Sequence, residues 1–579
     1  MRELAGFLKH YRKECVLAPL FKLLEALFEL IVPLVVAALI DRGIGGNDTS
    51  FVLKMGGLMV LLGAVGLIFS ITAQYFAAKA ATGFSSRIRH SLFSVIQTFD
   101  FETLDKLGDS TLITRMTSDV TRIQNGLNMF LRLFLRSPFI VFGAMIMAFT
   151  VDVHGALVFT VLIPVLFVIV VSIMKITRPA YRLVQAKLDS ITERTGENLT
   201  GVRVIRAFHG EEKEIEEFTR ENDALVSMQK KAGGISALMN PLTLVTVNLF
   251  TAALIYVGAV RVDNGLLSRG AVVALVNYMS QILIELVKLA NLVVLLTRAV
   301  ASADRVGEIL AMEKKEIKEK AEFPAENGDH PFISFENVSL RYEEGSDLAL
   351  EDITFTVNKG DTVGIIGGTG SGKTSLVSLI PGYYRATGGS ICINGVDISD
   401  IDDKSLREKT GMVFQKTLLF SGTIRDNLRW GDPEASDKAL TEALSAAQAL
   451  EFVDEKPGKL DYRIEQGGKN LSGGQKQRLT IARALVRHPE ILIMDDSASA
   501  LDFATDARLR SSIREMSGKM TIFIVSQRAA SVMHSDLIIV LDDGRIAGIG
   551  RHEELLESNE VYREIYFSQF PEEETAATP

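Results

Sequence analysis

Between Lys54 and Lys79 the chain runs through residues 55–78 without one charged side chain. About 20 apolar residues are needed to cross the hydrocarbon of a bilayer, and few soluble helices run that far without a charge. The stretch therefore demands lipid. Residues 232–260 form a second such run, and 137–174 is broken only by Asp152, whose surroundings Asp152-Val153-His154-Gly155 read as a tight external turn between two spans. Residues 15–40 and 271–297 are less clean, because the first carries Lys22, Glu25 and Glu29 and the second Glu285 and Lys288. Six spans are predicted, near 15–40, 55–80, 137–152, 155–175, 235–260 and 271–297.

Lys and Arg set the orientation. They gather in 80–136 and 175–231, among them Arg87, Arg89, Arg115, Arg122, Arg178, Arg182, Arg203, Arg206, Lys230 and Lys231, and are sparse in the short connections. The positive-inside bias then puts the long loops and both termini in the cytoplasm of a multi-pass protein of the cell membrane. The first span is too long and too charged for a cleavable signal, so it is expected to remain as a membrane helix. The net charge of −9 argues against a nucleic-acid partner. That average hides a split: 31 basic and 26 acidic residues up to Ala311 give +5, and 31 and 45 after it give −14. The 47% apolar content excludes a disordered or collagenous chain, and two distant cysteines, Cys15 and Cys392, exclude a disulfide framework.

The expected organisation is a membrane all-α six-helix domain with long cytoplasmic extensions at 1–311, a Lys- and Glu-rich linker at 312–330, a soluble α/β domain at 331–570 and an acidic tail at 571–579. In the soluble part, the strand-like Thr362-Val363-Gly364-Ile365-Ile366 runs into Gly367-Gly368-Thr369-Gly370-Ser371-Gly372-Lys373-Thr374-Ser375, with an apolar helix pattern after it. This is the G-x-x-x-x-G-K-[ST] phosphate loop in its required strand-loop-helix setting. Its glycines let backbone N–H groups converge on the phosphates of ATP, Lys373 neutralises the β and γ phosphates, and the Thr374 hydroxyl ligates Mg²⁺. A second buried strand, Ile491-Leu492-Ile493-Met494, ends in Asp495-Asp496, which makes Asp495 the metal-side carboxylate.

Between these stands Leu471-Ser472-Gly473-Gly474-Gln475, by itself only a turn and a helix cap. Taken in order, the phosphate loop, Gln415, Leu471 to Gln475, Asp495 and Ser499-Ala500-Leu501-Asp502 resemble the nucleotide-binding domain of the ATP-binding cassette family. With six spans before it, the chain resembles an exporter half-transporter of multidrug type. The resemblance implies that Tyr342 stacks on adenine and that Gln415 links Mg²⁺ and the γ-phosphate to the membrane domain. It implies further that Leu471, Ser472, Gly473, Gly474, Gln475 and Asp502 serve the ATP held by a second subunit in a head-to-tail dimer. Gly108 to Arg115 and Glu197 to Arg206 resemble the two coupling regions.

Two departures from that family stand in one composite site. Asp496 occupies the place of a Glu that polarises the attacking water, and Gln527 the place of a switch His. One methylene fewer draws the carboxylate back by about 1.5 Å, and Gln527 can hydrogen-bond but carries no charge. Proton abstraction requires hydrogen-bond reach, so catalysis should suffer. The expectation is a heterodimer in which this chain holds a slow or inactive ATP site and a second half-transporter supplies the intact Glu and His. A homodimeric lipid flippase and a nucleotide-gated regulatory membrane protein are the alternatives. A peptide-processing exporter is disfavoured by the short segment before the first span, and an importer by the fused order of the parts. For the cargo, ionisable residues inside spans face a bundle interior or a wet cavity. Lys22 with Glu25 and Lys288 with Glu285 have the spacing of internal pairs. Alternatively, Glu25, Glu29 or Glu285 lines a substrate cavity favouring amphipathic cations, with membrane lipid and an amphipathic small-molecule substrate as the expected partners.

Overall fold

The computed structural model describes residues 2–312, 321–325, 330–343, 345–497, 501–516 and 520–570. Most of the linker, Ser499 and Ala500, and the tail 571–579 lie outside them. The chain divides into two compact units, one of Met1–Thr98 with Asp109–Glu313 and one of Phe99–Gly108 with Lys314–Pro579.

In the first unit, six helices among the described residues are long and apolar enough to cross a membrane: α1 (Gly6–Ile44), α2 (Thr49–Ile96), then, after a short α3 (Phe101–Leu107) of the other unit, α4 (Asp109–Val151), α5 (Val153–Thr200), a short α6 (Val202–Ala207), α7 (Glu211–Asp263) and α8 (Arg269–Ala311). Each long helix contains one predicted span, and most continue well past it, because helix-forming polar sequence extends the apolar stretch without a breaker. Helix α2 exposes Val60, Leu61, Leu67, Ile68 and Ile71. Such a stripe is intolerable in water and ordinary against lipid.

Polar residues fasten the bundle where helices turn. Asp152 caps α5, its carboxylate accepting from Gly155 N at 2.7 Å, and pairs with Arg261 at 2.8 Å, so the turn that divides α4 from α5 is a single residue. Asp41 accepts from Ser268 Oγ at 2.5 Å and Gly270 N at 2.8 Å, holding the start of α8 to the end of α1. Asp119, fully buried, is gripped by Arg305 at 2.6 Å, Arg115 at 2.8 Å and Ser302 at 2.9 Å. Arg194 on α5 gathers Glu214, Glu217 and Glu221 of α7.

Among the described residues the second unit is built on two large sheets, beside a two-stranded ribbon of Gly422–Thr423 and Arg463–Ile464. An antiparallel sheet of β1 (Ile333–Leu340), β2 (Leu350–Val357), β4 (Gly388–Ile393) and β5 (Val396–Asp397) has the order β2-β1-β4-β5. The other joins β3 (Thr362–Gly367), β6 (Thr410–Val413), β7 (Ile491–Asp495), β8 (Thr521–Val525), β9 (Leu537–Asp542) and β10 (Arg545–Gly550) in the order β10-β9-β3-β8-β7-β6. All neighbours in it are parallel except β9 and β10. The buried run of β7, Ile491-Leu492-Ile493-Met494-Asp495, reads as expected of a strand covered on both faces. Three helices matter to the site: α9 (Lys373–Leu379), α10 (Gly473–Leu485) and α11 (Phe503–Met516).

One expectation needs correction. Gly108, at φ +72, separates α3 from α4, and the segment that packs into the second unit is 99–108 rather than 108–115. Phe101 of α3 lies 4.4 Å from the Tyr383 ring, and Asp105 accepts from Tyr384 Oη. Asp109–Thr114 belongs with the membrane helices instead. Phe101 is apolar and Asp105 has a specific donor, whereas in 109–115 Leu112 is buried within the first unit and Arg115 pairs with Asp119. At the second region, a break at Gly201 is followed by the one-and-a-half-turn helix α6.

Candidate functional site

Parallel strands point their C-terminal ends the same way, and β3, β8, β7 and β6 are neighbours in that order. In register Val525 lies opposite both Ile365 and Asp495, and Val413 opposite Met494. Four strand ends therefore open on one edge: β3 into the glycine loop, β8 into Ser526-Gln527, β7 into Asp495-Asp496 and β6 into Phe414-Gln415. Ligands of open α/β sheets bind at this edge. A cavity of about 360 Å³ lies there, lined by Tyr342, Thr369, Gly370, Gly372, Lys373, Thr374, Ser375, Gln415, Asp495, Asp496 and Gln527. Residues from 342 to 527 thus meet at one place.

The loop's backbone explains its glycines. Gly370 and Gly372 sit at φ +84 and +93, and a Cβ on Gly372 would lie 2.8 Å from Ala349 O. At Gly367 a Cβ would come within 2.1 Å of Leu541 O, while Gly368 and Gly370 face open space. The backbone is packed tightly behind and clear in front, as a cradle for phosphate must be. Lys373, only 9% exposed, donates to Gly367 O at 2.9 Å and to Gly368 O. Burial lowers its pKa, opposed by Asp496 and Asp495. Burial likewise raises that of Asp495, opposed by the Thr374 hydroxyl, which donates to Asp495 Oδ2 at 3.0 Å, and reinforced by Asp496. A phosphate beside Lys373 and a hard cation beside Thr374 and Asp495 would complement both shifts, and an all-oxygen donor set suits Mg²⁺. The residues fit ATP and Mg²⁺.

Tyr342 is 39% exposed, donates to Ser375 Oγ at 2.8 Å and stands edge-on to Tyr384 with ring centroids 5.0 Å apart. Gln415 Nε2 lies 3.4 Å from Asp496 Oδ2. Asp496 itself has φ +45, a left-handed conformation that Asp tolerates better than most residues. Gln527 follows the buried Ser526 and holds Gln569 Nε2 by its own carbonyl, which leaves its side chain on the cavity wall.

The signature segment is elsewhere. Leu471 is buried, whereas Ser472 and Gly473 are exposed at the start of α10, where Ser472 and Gln475 form a reciprocal capping box at 3.3 and 3.1 Å. Gly474 and Gln475 lie in its first turn. Asp502, also exposed, caps α11 by accepting from Thr505 N at 2.9 Å, and that backbone bond holds its carboxyl below the usual range. None of these residues lines the chain's own nucleotide cavity.

The membrane acids are paired with cations. Glu285 is 2% exposed and accepts from Arg136 at 2.6 Å, Ser137 at 2.7 Å and Lys288 at 2.8 Å. The same Arg136 reaches Glu29 at 2.7 Å, and Lys22 reaches Glu25 at 2.5 Å. Glu25 and Glu29 do line a cavity of about 500 Å³, with Phe28, Met59, Leu62 and Ser70, but Glu285 does not. Three carboxylates thus meet three cations: the expected pairs Lys22 with Glu25 and Lys288 with Glu285 are formed, and Arg136 joins Glu285 to Glu29. The decisive partner, Arg136, sits immediately before the charge-free run 137–151 and reads in sequence as mere flanking charge. Tyr384 and Asp105 were also missed. The aromatic pair Tyr383-Tyr384 was the available signal.

Residues 15–286 match the ABC transporter transmembrane region and residues 350–499 the ABC transporter domain. The ABC transporter ATP-binding protein YfiB of Bacillus subtilis is 35% identical over 573 residues, covering 99% of each chain. The ABC transporter ATP-binding protein Rv1273c of Mycobacterium tuberculosis is 35% identical, covering 97% of each. The putative multidrug export ATP-binding/permease protein YgaD of Bacillus subtilis is 32% identical, covering 98% of this chain and 99% of that one. Among solved structures, a bacterial Atm1-family ABC exporter with ATP bound shares the fold at a TM-score of 0.79 and 23% identity, over 97% of this chain and 99% of that one.

Proposed function

We propose, because the chain belongs to the ATP-binding cassette transporters as an exporter half-transporter, that it is the subunit holding the slow or inactive ATP site of a heterodimer. ATP hydrolysis coupled to export is the activity of the family, which works as dimers in the cell membrane with the nucleotide-binding domain in the cytoplasm. For the cargo we propose hydrophobic or amphipathic compounds.

One observation carries the heterodimer: Asp496 and Gln527 line the same 360 Å³ cavity as Lys373 and Thr374. Both departures therefore act on a single nucleotide. In this reading Tyr342 stacks on adenine, the loop from Gly367 to Ser375 holds the phosphates, and Thr374, Asp495 and Gln415 hold the cation. Mg²⁺, when bound, supplies neutralisation of phosphate charge. Lys373 must then leave the carbonyls of Gly367 and Gly368 for the phosphate, a trade of neutral acceptors for charged ones. What this chain supplies poorly is the proton acceptor. The carboxylate of Asp496 is short, its chain turns in a left-handed conformation, and the Gln415 amide lies 3.4 Å from it. Gln527 adds no charge opposite it. Meanwhile the capped start of α10, with Ser472 and Gly473 exposed, can present the N–H groups of its first turn to a nucleotide on another subunit.

The chain purified alone should bind ATP yet hydrolyse it slowly, and turnover should appear with a subunit carrying Glu and His at these positions. Asp496→Glu with Gln527→His should raise hydrolysis at this site by about tenfold or more, general-base catalysis being worth at least that. Brisk turnover by a homodimer of the unaltered chain would sink the heterodimer and favour the flippase reading.

A further inference from the structure

A cavity of about 840 Å³ in the membrane unit is walled by Arg122 of α4, Arg178 and Arg182 of α5 and Arg298 of α8, together with Thr177 and Tyr181, and among the described residues no Asp or Glu lines it. Four arginines elsewhere in the same unit are held by carboxylates: Arg136 by Glu29 and Glu285, Arg194 by three glutamates, Arg261 by Asp152, Arg305 by Asp119. Three of the four at this cavity are not. Arg178, Arg182 and Arg298 make no ion pair among the described residues, and Arg122 is 3.7 Å from an Asp119 already held by Arg305 and Arg115. A cytoplasmic bias of positive charge accounts for arginines near the ends of spans, but not for their convergence from three helices on one hollow without a carboxylate. Four like charges around a low-dielectric cleft focus a positive potential in it.

We propose that this cavity is a binding site for organic anions bearing two or more negative charges and an aromatic or apolar portion. The guanidinium forks match carboxylate, sulfonate or phosphate oxygens in pairs. Arg178 and Arg182, four residues apart, stand on one face of α5 and grip one group. The Thr177 hydroxyl, buried and without a hydrogen-bond partner, gives a further donor on the same wall. Tyr181 and Met174 offer surface to the ligand's body. The inference names the charge class of the cargo and so rests on the export reading. It replaces a cation with an anion, because the acids of the spans are neutralised internally and these arginines are not. The same chemistry could come from a soluble solute or from the headgroup of an anionic lipid.

The test uses the full-length chain in phosphatidylcholine nanodiscs and pyranine, an aromatic trisulfonate, read by fluorescence polarisation. We expect saturable binding that weakens with added salt, is not displaced by tetraphenylphosphonium, and falls on the order of 100-fold in Arg178→Gln/Arg182→Gln, two charge-assisted contacts being lost. Arg178→Lys/Arg182→Lys should keep a larger part of the affinity, and Arg298→Gln alone should lower it about tenfold, should the double Gln variant fail to fold. Displacement of pyranine by cardiolipin in the discs assigns the site to a lipid headgroup, and its persistence assigns it to a soluble anion; either supports the site. Affinity within twofold of the unaltered chain in folded Gln variants overturns it, as does arginine-dependent binding of tetraphenylphosphonium. Binding of a fluorescent ATP analogue by the same discs reads the phosphate loop separately, so each reading can fail without the other.

Discussion

Arg136 and Arg178 are on the consecutive helices α4 and α5, yet the first is 7% exposed with two glutamates on its guanidinium while the second is exposed on a cavity wall with no ion partner among the described residues. The difference separates charge used for structure from charge left for a ligand. A buried guanidinium loses its hydration and must be repaid in carboxylates, whereas one on an open wall keeps its hydration until an anion arrives. Lys373 of the cassette is intermediate. It is nearly buried, but its partners are neutral carbonyls of its own loop, so it remains exchangeable.

Three substitutions would break or sharpen that comparison. The largest effect is expected at Arg136→Ala, which takes the ion partner from Glu29 and leaves the buried Glu285 with only Lys288 and Ser137, and should cost about 3–5 kcal/mol of stability, measured by thermal unfolding in nanodiscs. Replacing Arg136 and Glu285 together by Leu should recover most of it, while Arg178→Ala should shift unfolding by less than about 0.5 kcal/mol. Equal losses at the two arginines would dissolve the distinction. Next, Lys373→Ala should weaken ATP binding by about 1.5–3 kcal/mol, the worth of hydrogen bonds to a charged group, and leave pyranine affinity at the membrane cavity unaltered. A matching fall in pyranine affinity would mean that the probe reads the phosphate loop. The smallest change is expected at Tyr384→Phe, which keeps the ring against Tyr342 but removes the bond to Asp105. It should alter ATP affinity by about 1 kcal/mol or less, and reduce the stimulation of ATPase by transported compounds more than the basal rate. The reverse order would place Tyr384 with the nucleotide alone.

What could be read in the sequence was whatever depends on neighbours along the chain. The run 55–78 needs lipid whatever else the protein contains, and each of the six spans was found inside a long helix. The phosphate loop was legible because strand, positive-φ glycines and helix are local, as Gly370 and Gly372 bear out at φ +84 and +93. Helix ends were less legible, since apolar runs mark the hydrocarbon and not the point where the backbone stops hydrogen-bonding to itself.

The rest needed distance in sequence to become proximity in space. Arg136 and Glu285 are 149 positions apart, and no periodicity on either helix announces that one balances the other. The same holds for the docking of Phe101 and Asp105 on Tyr383 and Tyr384, which transferred 99–108 to the second unit. Arg122, Arg178 and Arg182 were visible in the sequence as an index of orientation, and only the packing of α4, α5 and α8 brought them, with Arg298, round one hollow. The sequence by itself determined a membrane bundle joined to a nucleotide cassette, and which residue types stand at each strand end. The tertiary structure decided which charges are spent on one another and which remain available, because desolvation and Coulomb attraction depend on who lies within a few ångströms and not on order along the chain.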